Sequence, residues 1–206
     1  MDDSWDLLKL HISECKDCPW KNIKKQTVLP EGPLNSPVFF IGRNPGYQED
    51  KLGRPFVGPS GKALNKFLLA TGIDRSKVWI TNVVKCQGGL GDPCPTDEVY
   101  ECCKPWLVRE VKLFKPKLLV TLGNDSFCHV SRLSGSSVKL QGELIPMRSP
   151  IETSLFVMTH PSYWIRNPKY FANTVMKEMT FRLRQVLSDL GIDNVGLDID
   201  LTSDPL

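Results

Sequence analysis

Nowhere in the 206 residues is there an apolar run approaching the ~20 residues that a membrane-crossing helix requires. The start, Met1-Asp2-Asp3, also lacks the basic and then apolar segment of a secretory leader, so the expected location is cytoplasmic, away from membranes. No charge sign dominates. Against 26 Lys and Arg stand 23 Asp and Glu, a net charge of +3 that permits contact with nucleic acid without arguing for it. Histidine is scarce, three residues in all, and His11 and His129 belong to no recognisable pattern. Only His160 does.

Cysteine, by contrast, is plentiful. In a reducing compartment seven Cys are not a disulfide framework, so thiolate ligation of metal has to be considered. Cys15-Lys16-Asp17-Cys18 follows a short amphipathic helix over residues 4–13. Such a Cys-x-x-Cys pair alone serves redox centres, zinc sites and clusters alike. Cys86 follows an apolar strand, and Cys102-Cys103 falls on a helix that opens near Pro95-Thr96-Asp97-Glu98. One pair and two separated thiolates suit an all-cysteine zinc site and a [4Fe–4S] cluster equally by spacing. Cys94 and Cys128 read as small apolar residues.

With 41% apolar residues the chain is long enough for one domain with a full core. Four continuous apolar runs, near residues 38–41, 78–85, 117–123 and 155–159, alternate with helical patterns. Continuous runs of that kind are strands buried on both faces. The expected fold is a single-domain three-layer α/β/α sandwich around a four-stranded, mainly parallel sheet. Residues 134–150 read as an irregular excursion and 169–188 as a final helix. The domain is expected to span 1–187, leaving 188–206 as an acidic tail, solvated or loosely docked.

The strand at 38–41 stops at Gly42 and opens a loop rich in Gly and Pro: Gly42-Arg43-Asn44-Pro45-Gly46-Tyr47-Gln48-Glu49-Asp50, running on to Gly53-Arg54-Pro55-Phe56-Val57-Gly58. Such a loop turns sharply and lets a ligand approach the backbone. Ser60-Gly61-Lys62 then starts a helix, whose free N–H groups favour an anion. In open α/β sheets, ligands sit just beyond the carboxyl ends of strands, which is where this loop lies.

These residues resemble the first motif of the family 4 uracil-DNA glycosylases, the iron–sulfur branch of the uracil-DNA glycosylase superfamily, most closely through Glu49-Asp50 and Gly53 to Gly58. The resemblance covers roughly residues 10–187. Thr81-Asn82-Val83-Val84-Lys85-Cys86 and His160-Pro161-Ser162 followed by Arg166-Asn167-Pro168 are similar to further motifs in the same order. One departure stands out. Family 4 has Gly-Glu-Ala-Pro-Gly where this chain has Gly42-Arg43-Asn44-Pro45-Gly46, and the Asn is similar to the mismatch-specific and single-strand-selective branches. The loop at 87–95 also lacks the family's Pro-rich, Asn-Arg pattern.

The resemblance implies a [4Fe–4S] cluster on Cys15, Cys18, Cys86 and Cys103, the last chosen because Cys103-Lys104-Pro105-Trp106-Leu107 matches the family's Cys-x-Pro-aromatic-Leu. It implies a monofunctional glycosylase that cuts uracil from DNA, single- or double-stranded, after flipping the base out of the stack. His160 would donate to the departing pyrimidine, Asn44 would hold a water through its amide oxygen, and Glu49 would line the pocket or assist the water. Phe56 would stack on the base and Asn82 read its edge, with Gly42, Arg43 and Gly46 completing the substrate pocket. Ser60, Gly61, Lys62, Ser162 and Arg166 would meet phosphates, and Tyr163, Trp164 or Ile165 would wedge where the base left. For Trp164 the competing reading is core packing, and for Glu49 a helix cap or surface carboxylate.

In the strictly uracil-specific branch a Tyr stands in the place of Gly46 and blocks C5 substituents. Gly46 therefore predicts some action on C5-modified pyrimidines, unless Tyr47 or Glu49 fills the gap. A monomer is expected. Two other readings are a non-catalytic sensor of unusual DNA, favoured by Arg43, and a glycosylase directed at modified phage DNA in defence.

Overall fold

The computed structural model describes residues 4–89, 91, 94–147 and 153–197. Five strands form its sheet: β1 (Val38–Gly42), β2 (Trp79–Asn82), β3 (Leu118–Leu122), β4 (Leu144–Pro146) and β5 (Ser154–Met158). Their order is β2-β1-β3-β5-β4, parallel throughout except for β4, which runs antiparallel to β5. The four parallel strands are those expected. The fifth comes from the stretch read as irregular. Its pattern of exposure and the closing Pro146 are those of a short edge strand, which carries little periodic signal.

Successive side chains on a strand point to opposite faces, and here both faces are core. Val38, Phe40, Leu118, Val120, Leu122, Phe156 and Met158 enter one apolar cluster, with α3 (Pro59–Thr71) and α8 (Thr180–Asp189). Phe39, Ile41, Leu119, Leu155 and Val157 enter the other, against α4 (Asp97–Phe114) and α5 (Asn124–Ser131). That double burial is why these runs are apolar without alternation.

The remaining helices are α1 (Trp5–Glu14), α2 (Tyr47–Leu52), α6 (Pro161–Arg166) and α7 (Pro168–Tyr170); a π-helical stretch, Phe171–Met179, joins α7 to α8. The expected final helix is thus broken into three segments. Helix α1 is capped by Ser4, whose side chain accepts from the Leu7 N–H, and it buries Leu8 and Ile12 completely. Trp5, its first residue, meets the Trp79 ring edge-on at 5.1 Å. The free edge of β2 is covered by residues 28–31: Glu31 and Ile80 exchange backbone hydrogen bonds, and the Val28 N–H donates to Lys85 O.

Two boundaries differ from expectation. Strand β2 ends at Asn82 because Val83 and Val84 turn their N–H groups to the carbonyls of Gly42 and Arg43, wrapping the end of β1 instead of extending the ladder. The core continues past residue 187. Ile192 and Val195 are buried, and Asp74 N–H, Leu197 N–H and Lys77 Nζ tie the segment to residues 72–77 through the carbonyls of Val195, Gly72 and Gly196. A solvated tail therefore does not begin at 188. Residues 198–206, with Asp198, Asp200 and Asp204, lie outside the described residues.

Candidate active site

Strands β1, β2, β3 and β5 deliver their carboxyl ends to one side of the sheet, and a cavity of ≈ 560 Å³ opens there. Glycines let its walls come together. Gly42 pairs with Asn82 in register, and a Cβ on Gly42 would run into Asn82 Oδ1 and lie 2.6 Å from the tip of the Phe56 ring. The amide and the aromatic edge thus converge over a position that only glycine fits. Phe56 itself has φ of 52°, the left-handed region that costs a bulky residue on the order of 1–3 kcal/mol. Gly61 permits it, since any side chain there would collide with the Phe56 carbonyl.

Glu49 is buried and its Oε1 accepts from the N–H groups of Val57 and Gly58, at 2.9 and 2.8 Å. Gly58 is the N-cap of α3, so this carboxylate satisfies donors at a helix N-terminus. Its fixed place is that of a brace for the Phe56 turn, the helix-capping alternative weighed for it above. Its Oε2 stands 2.8 Å from where a Gly46 Cβ would be, so the gap left by Gly46 is partly filled. Asp50 is also buried and accepts from the backbone N–H of Lys25 and Gln26, tethering the segment before β1. Arg54 has no part in the cavity; it is exposed and pairs with Glu31.

His160 caps α6. The Ser162 N–H donates to its Nδ1 at 3.1 Å, and Ser162 Oγ lies 2.8 Å from the same nitrogen. A ring nitrogen accepting an N–H carries no proton, so the proton sits on Nε2 and the ring is a donor there. Gly123, at φ 101°, closes the opposite side: a Cβ on it would lie 2.9 Å from His160 Cβ. The rings of Phe56 and His160 are 6.3 Å apart.

Arg43, Asn44, Gly46, Glu49, Phe56, Asn82 and His160 all line this one cavity, with Ser60, Ser162 and Arg166 at its wall. Lys62 does not; it is exposed on α3. Gly61 is buried beneath the Phe56 turn. Trp164 is fully buried, donates Nε1–H to Thr159 Oγ1 and stacks on Phe171, so core packing, and not a wedge, describes it. Tyr163 is half-buried against Tyr170, whereas Ile165 beside them is 46% exposed.

Sequence reading missed Asp125 and Asn124, which enter the cavity from the start of α5. The sign was available: Gly123-Asn124-Asp125 follows a parallel strand just as Gly42 and His160 do. A second, smaller hollow of ≈ 260 Å³, between α4, α5 and β4, is mostly apolar and holds none of the expected site residues.

The cysteines gather elsewhere, behind the end of β2. Cys18, Cys86 and Cys103 are buried in the same apolar cluster with Trp20, Val83 and Val84. Burial pushes the Cys86 thiol up and the Cys103 thiol up to about 12, the neighbouring thiols adding to it and the Lys85 backbone N–H opposing it at Cys103. Cys15 sits at the rim, its Sγ 3.7 Å from Asp17 Oδ2. Cys102 also reaches this segment, its Sγ 3.1 Å from Asp17 O. All seven thiols are free, Cys94 being exposed and Cys128 half-buried. Among the described residues no three His, Cys, Asp or Glu side chains approach closely enough to hold a single metal ion.

Just beneath lies a buried ion pair. Lys85 Nζ meets Glu110 Oε1 at 2.5 Å and donates to Thr81 Oγ1 and Asn82 O, while Trp79 Nε1–H donates to Glu110 Oε2.

The sequence model of the uracil DNA glycosylase superfamily matches residues 29–184. The chain is 34% identical to the type-4 uracil-DNA glycosylase of Pyrobaculum aerophilum over 170 residues, covering 79% of this chain and 86% of that protein. It is similarly 34% identical over 172 residues to the type-4 enzyme of Sulfurisphaera tokodaii, covering 81% and 78%. To that of Thermotoga maritima it is 32% identical over 163 residues, covering 79% and 83%.

Proposed function

The chain belongs to the uracil DNA glycosylase superfamily, and from that membership we propose that it is a monofunctional DNA glycosylase that hydrolyses the bond between uracil and deoxyribose, leaving an abasic site for repair. The observation that carries the site assignment is the convergence of Asn44, Phe56, Asn82 and His160 on one cavity at the carboxyl ends of parallel strands.

The chemistry follows from those positions. A base inside a duplex shields its glycosidic bond, so the nucleotide must leave the stack to be cut. Phe56 offers a flat apolar wall, and the Asn82 amide offers one acceptor and one donor to the pyrimidine edge. As the bond stretches, the sugar gains positive and the base negative charge. His160, with its proton on Nε2, stabilises that negative charge by a hydrogen bond that strengthens as charge develops. Asn44 Oδ1 orients the water that attacks the sugar. No lysine lines the cavity among the described residues, in keeping with hydrolysis and not Schiff-base chemistry. Ser60, Ser162 and Arg166 at the wall suit phosphates, and exposed Ile165 suits the gap left by the base.

We assign a [4Fe–4S] cluster to Cys15, Cys18, Cys86 and Cys103. Four soft thiolates, three of them buried together, and a backbone N–H directed at one sulfur suit such a cluster. It would tie the segment after α1 to β2 and α4, a structural part. At Gly46 the Glu49 carboxylate stands in for a bulkier wall. An acceptor there favours C5 substituents that donate a hydrogen bond, so 5-hydroxymethyluracil should be cut in preference to thymine.

One assay tests the reading. Oligonucleotides carrying uracil, cytosine, thymine or 5-hydroxymethyluracil are incubated with enzyme and scored for strand breaks with and without alkali. Uracil should be released, with breaks only after alkali. His160→Ala should slow single-turnover release by roughly 10²–10³ while DNA binding changes little. An unchanged rate removes His160 from the mechanism, and an inactive wild type that still binds DNA leaves the sensor reading in its place.

A further inference from the structure

Both ends of the Asn44 carboxamide are held inside the protein. Its Nδ2–H donates to the Pro45 carbonyl at 2.9 Å, and its Oδ1 accepts from Arg43 Nε at 2.5 Å. The Arg43 guanidinium in turn reaches across the cavity to Asp125, with NH1 3.5 Å from Oδ2. Arg43 and Asp125 both line the cavity, one from the loop after β1 and the other from α5. Neither belongs to the chemistry described above.

A carboxamide has two ends of similar shape and opposite polarity, and a half-turn about its last bond exchanges them. Here the exchange would set the amide N–H₂ against the guanidinium and the amide oxygen against a carbonyl. Each contact would then be repulsive. The orientation is therefore fixed, and Arg43 supplies the half of the restraint that names the oxygen. The orientation matters because a water that attacks with its lone pair must give its hydrogens to acceptors. Oδ1 has two lone pairs, and Arg43 takes one. The amide N–H₂ would point donors at the water and occupy the lone pair it needs.

We propose that Arg43, braced by Asp125, is a positioning residue that locks the Asn44 carboxamide with its oxygen available to the attacking water. The proposal rests on the glycosylase reading for its kinetic consequence, though not for the lock itself. A carboxylate at position 44 supplies the discriminating background, because its two oxygens are alike and no half-turn can present a donor.

The experiment measures single-turnover uracil release and DNA affinity for Arg43→Ala, Arg43→Lys and Asp125→Asn, with Arg43→Ala repeated in an Asn44→Asp background. Arg43→Ala should slow release roughly 10-fold, the size of one lost hydrogen bond to a charged group, with affinity nearly unchanged. Lys at 43 can serve one acceptor and not both, so it should fall between, as should Asp125→Asn. In the Asn44→Asp background the loss on Arg43→Ala should shrink below about threefold. An equal loss in both backgrounds means that Arg43 supports the fold or the DNA instead, and overturns the proposal, as does a loss of affinity alone.

A second readout needs no activity. The ¹⁵N relaxation of the Asn44 side-chain amide should report a rigid group in the wild type and a mobile one in Arg43→Ala. Equal rigidity in both overturns the lock. If the wild type releases no uracil, the glycosylase reading falls while this comparison still decides whether Arg43 holds the amide.

Discussion

The cavity and the cysteine cluster stand at the same end of β2, yet they are put together by different means. Around the cavity three polar side chains are pinned by hydrogen bonds within the protein: Glu49 on two backbone amides, His160 on Ser162, Asn44 between Arg43 and Pro45. At the cysteines, thiols are packed among apolar side chains, and burial raises the protonation range of Cys86 and Cys103. The first region is organised by the protein alone. On the proposed cluster, the second would gain its organisation with the metal, because ligation would exchange protons for iron and its free energy would count as folding free energy. Between them lies the Lys85–Glu110 pair, one residue from Cys86 and bonded to the Asn82 carbonyl.

The cysteine side should show the largest effect when broken. Purified protein should be yellow-brown with broad absorption near ~400 nm, as thiolate-bound iron implies. Cys103→Ala should bleach it and lower Tm by more than ~15 °C, whereas Cys94→Ala should do neither. Protein that is colourless, zinc-loaded and fully active would refute the cluster. Bleaching by Cys102→Ala with colour kept in Cys103→Ala would move the fourth ligand one residue back, to the thiol that lies against Asp17 O.

Next in size is the joint between the regions. Lys85→Met strands the Glu110 carboxylate in a fully buried place, which should cost about 3–5 kcal/mol, read by urea unfolding of the loaded protein. Adding Glu110→Gln removes the stranded charge and should restore most of the loss. If the single variant is as stable as the wild type, the pair does not join the two regions.

What was legible in the sequence divides along the same line. Strands came through because double burial writes itself as a continuous apolar run, and strand ends marked the cavity because Gly42 and Asn82 each end one and His160 follows the end of β5 by two residues. Local chemistry of that sort is short in range. Partners set by tertiary approach were not legible. Glu49 finds the amides of Val57 and Gly58 only because Phe56 takes a left-handed turn, and that turn depends on Gly61 five residues on. Lys85 and Glu110 are 25 positions apart, one in the loop after β2 and the other on α4, with no periodicity linking them. Trp164 read equally as wedge or core, since two adjacent aromatic residues on a six-residue helix give no pattern to choose a face. The docking of Ile192 and Val195 was hidden by the acidic residues spaced among them.

The smallest effect concerns which side of the molecule meets DNA, and it is tested with two exposed lysines. Lys62 follows Ser60 and Gly61 at the start of α3, next to the cavity wall; Lys112 lies near the end of α4, the helix that carries Cys103. Both are solvent-exposed single charges, so neither contributes much to stability. A lysine that meets a phosphate releases counterions, and its loss flattens the dependence of log K on log salt by about 1 while leaving base preference alone. Lys62→Ala should therefore weaken binding to every oligonucleotide by a similar factor, largest at low salt. Lys112→Ala should leave both affinity and slope unchanged, because α4 runs back from the carboxyl end of β2 to the start of parallel β3 and its last turn lies at the opposite end of the sheet from the cavity. Equal losses from the two variants would mean that the attraction is a diffuse property of a +3 chain and not of the cavity's rim. A Lys62→Ala effect confined to one target base would place that residue at the base instead of the backbone, which its exposed position on α3 opposes.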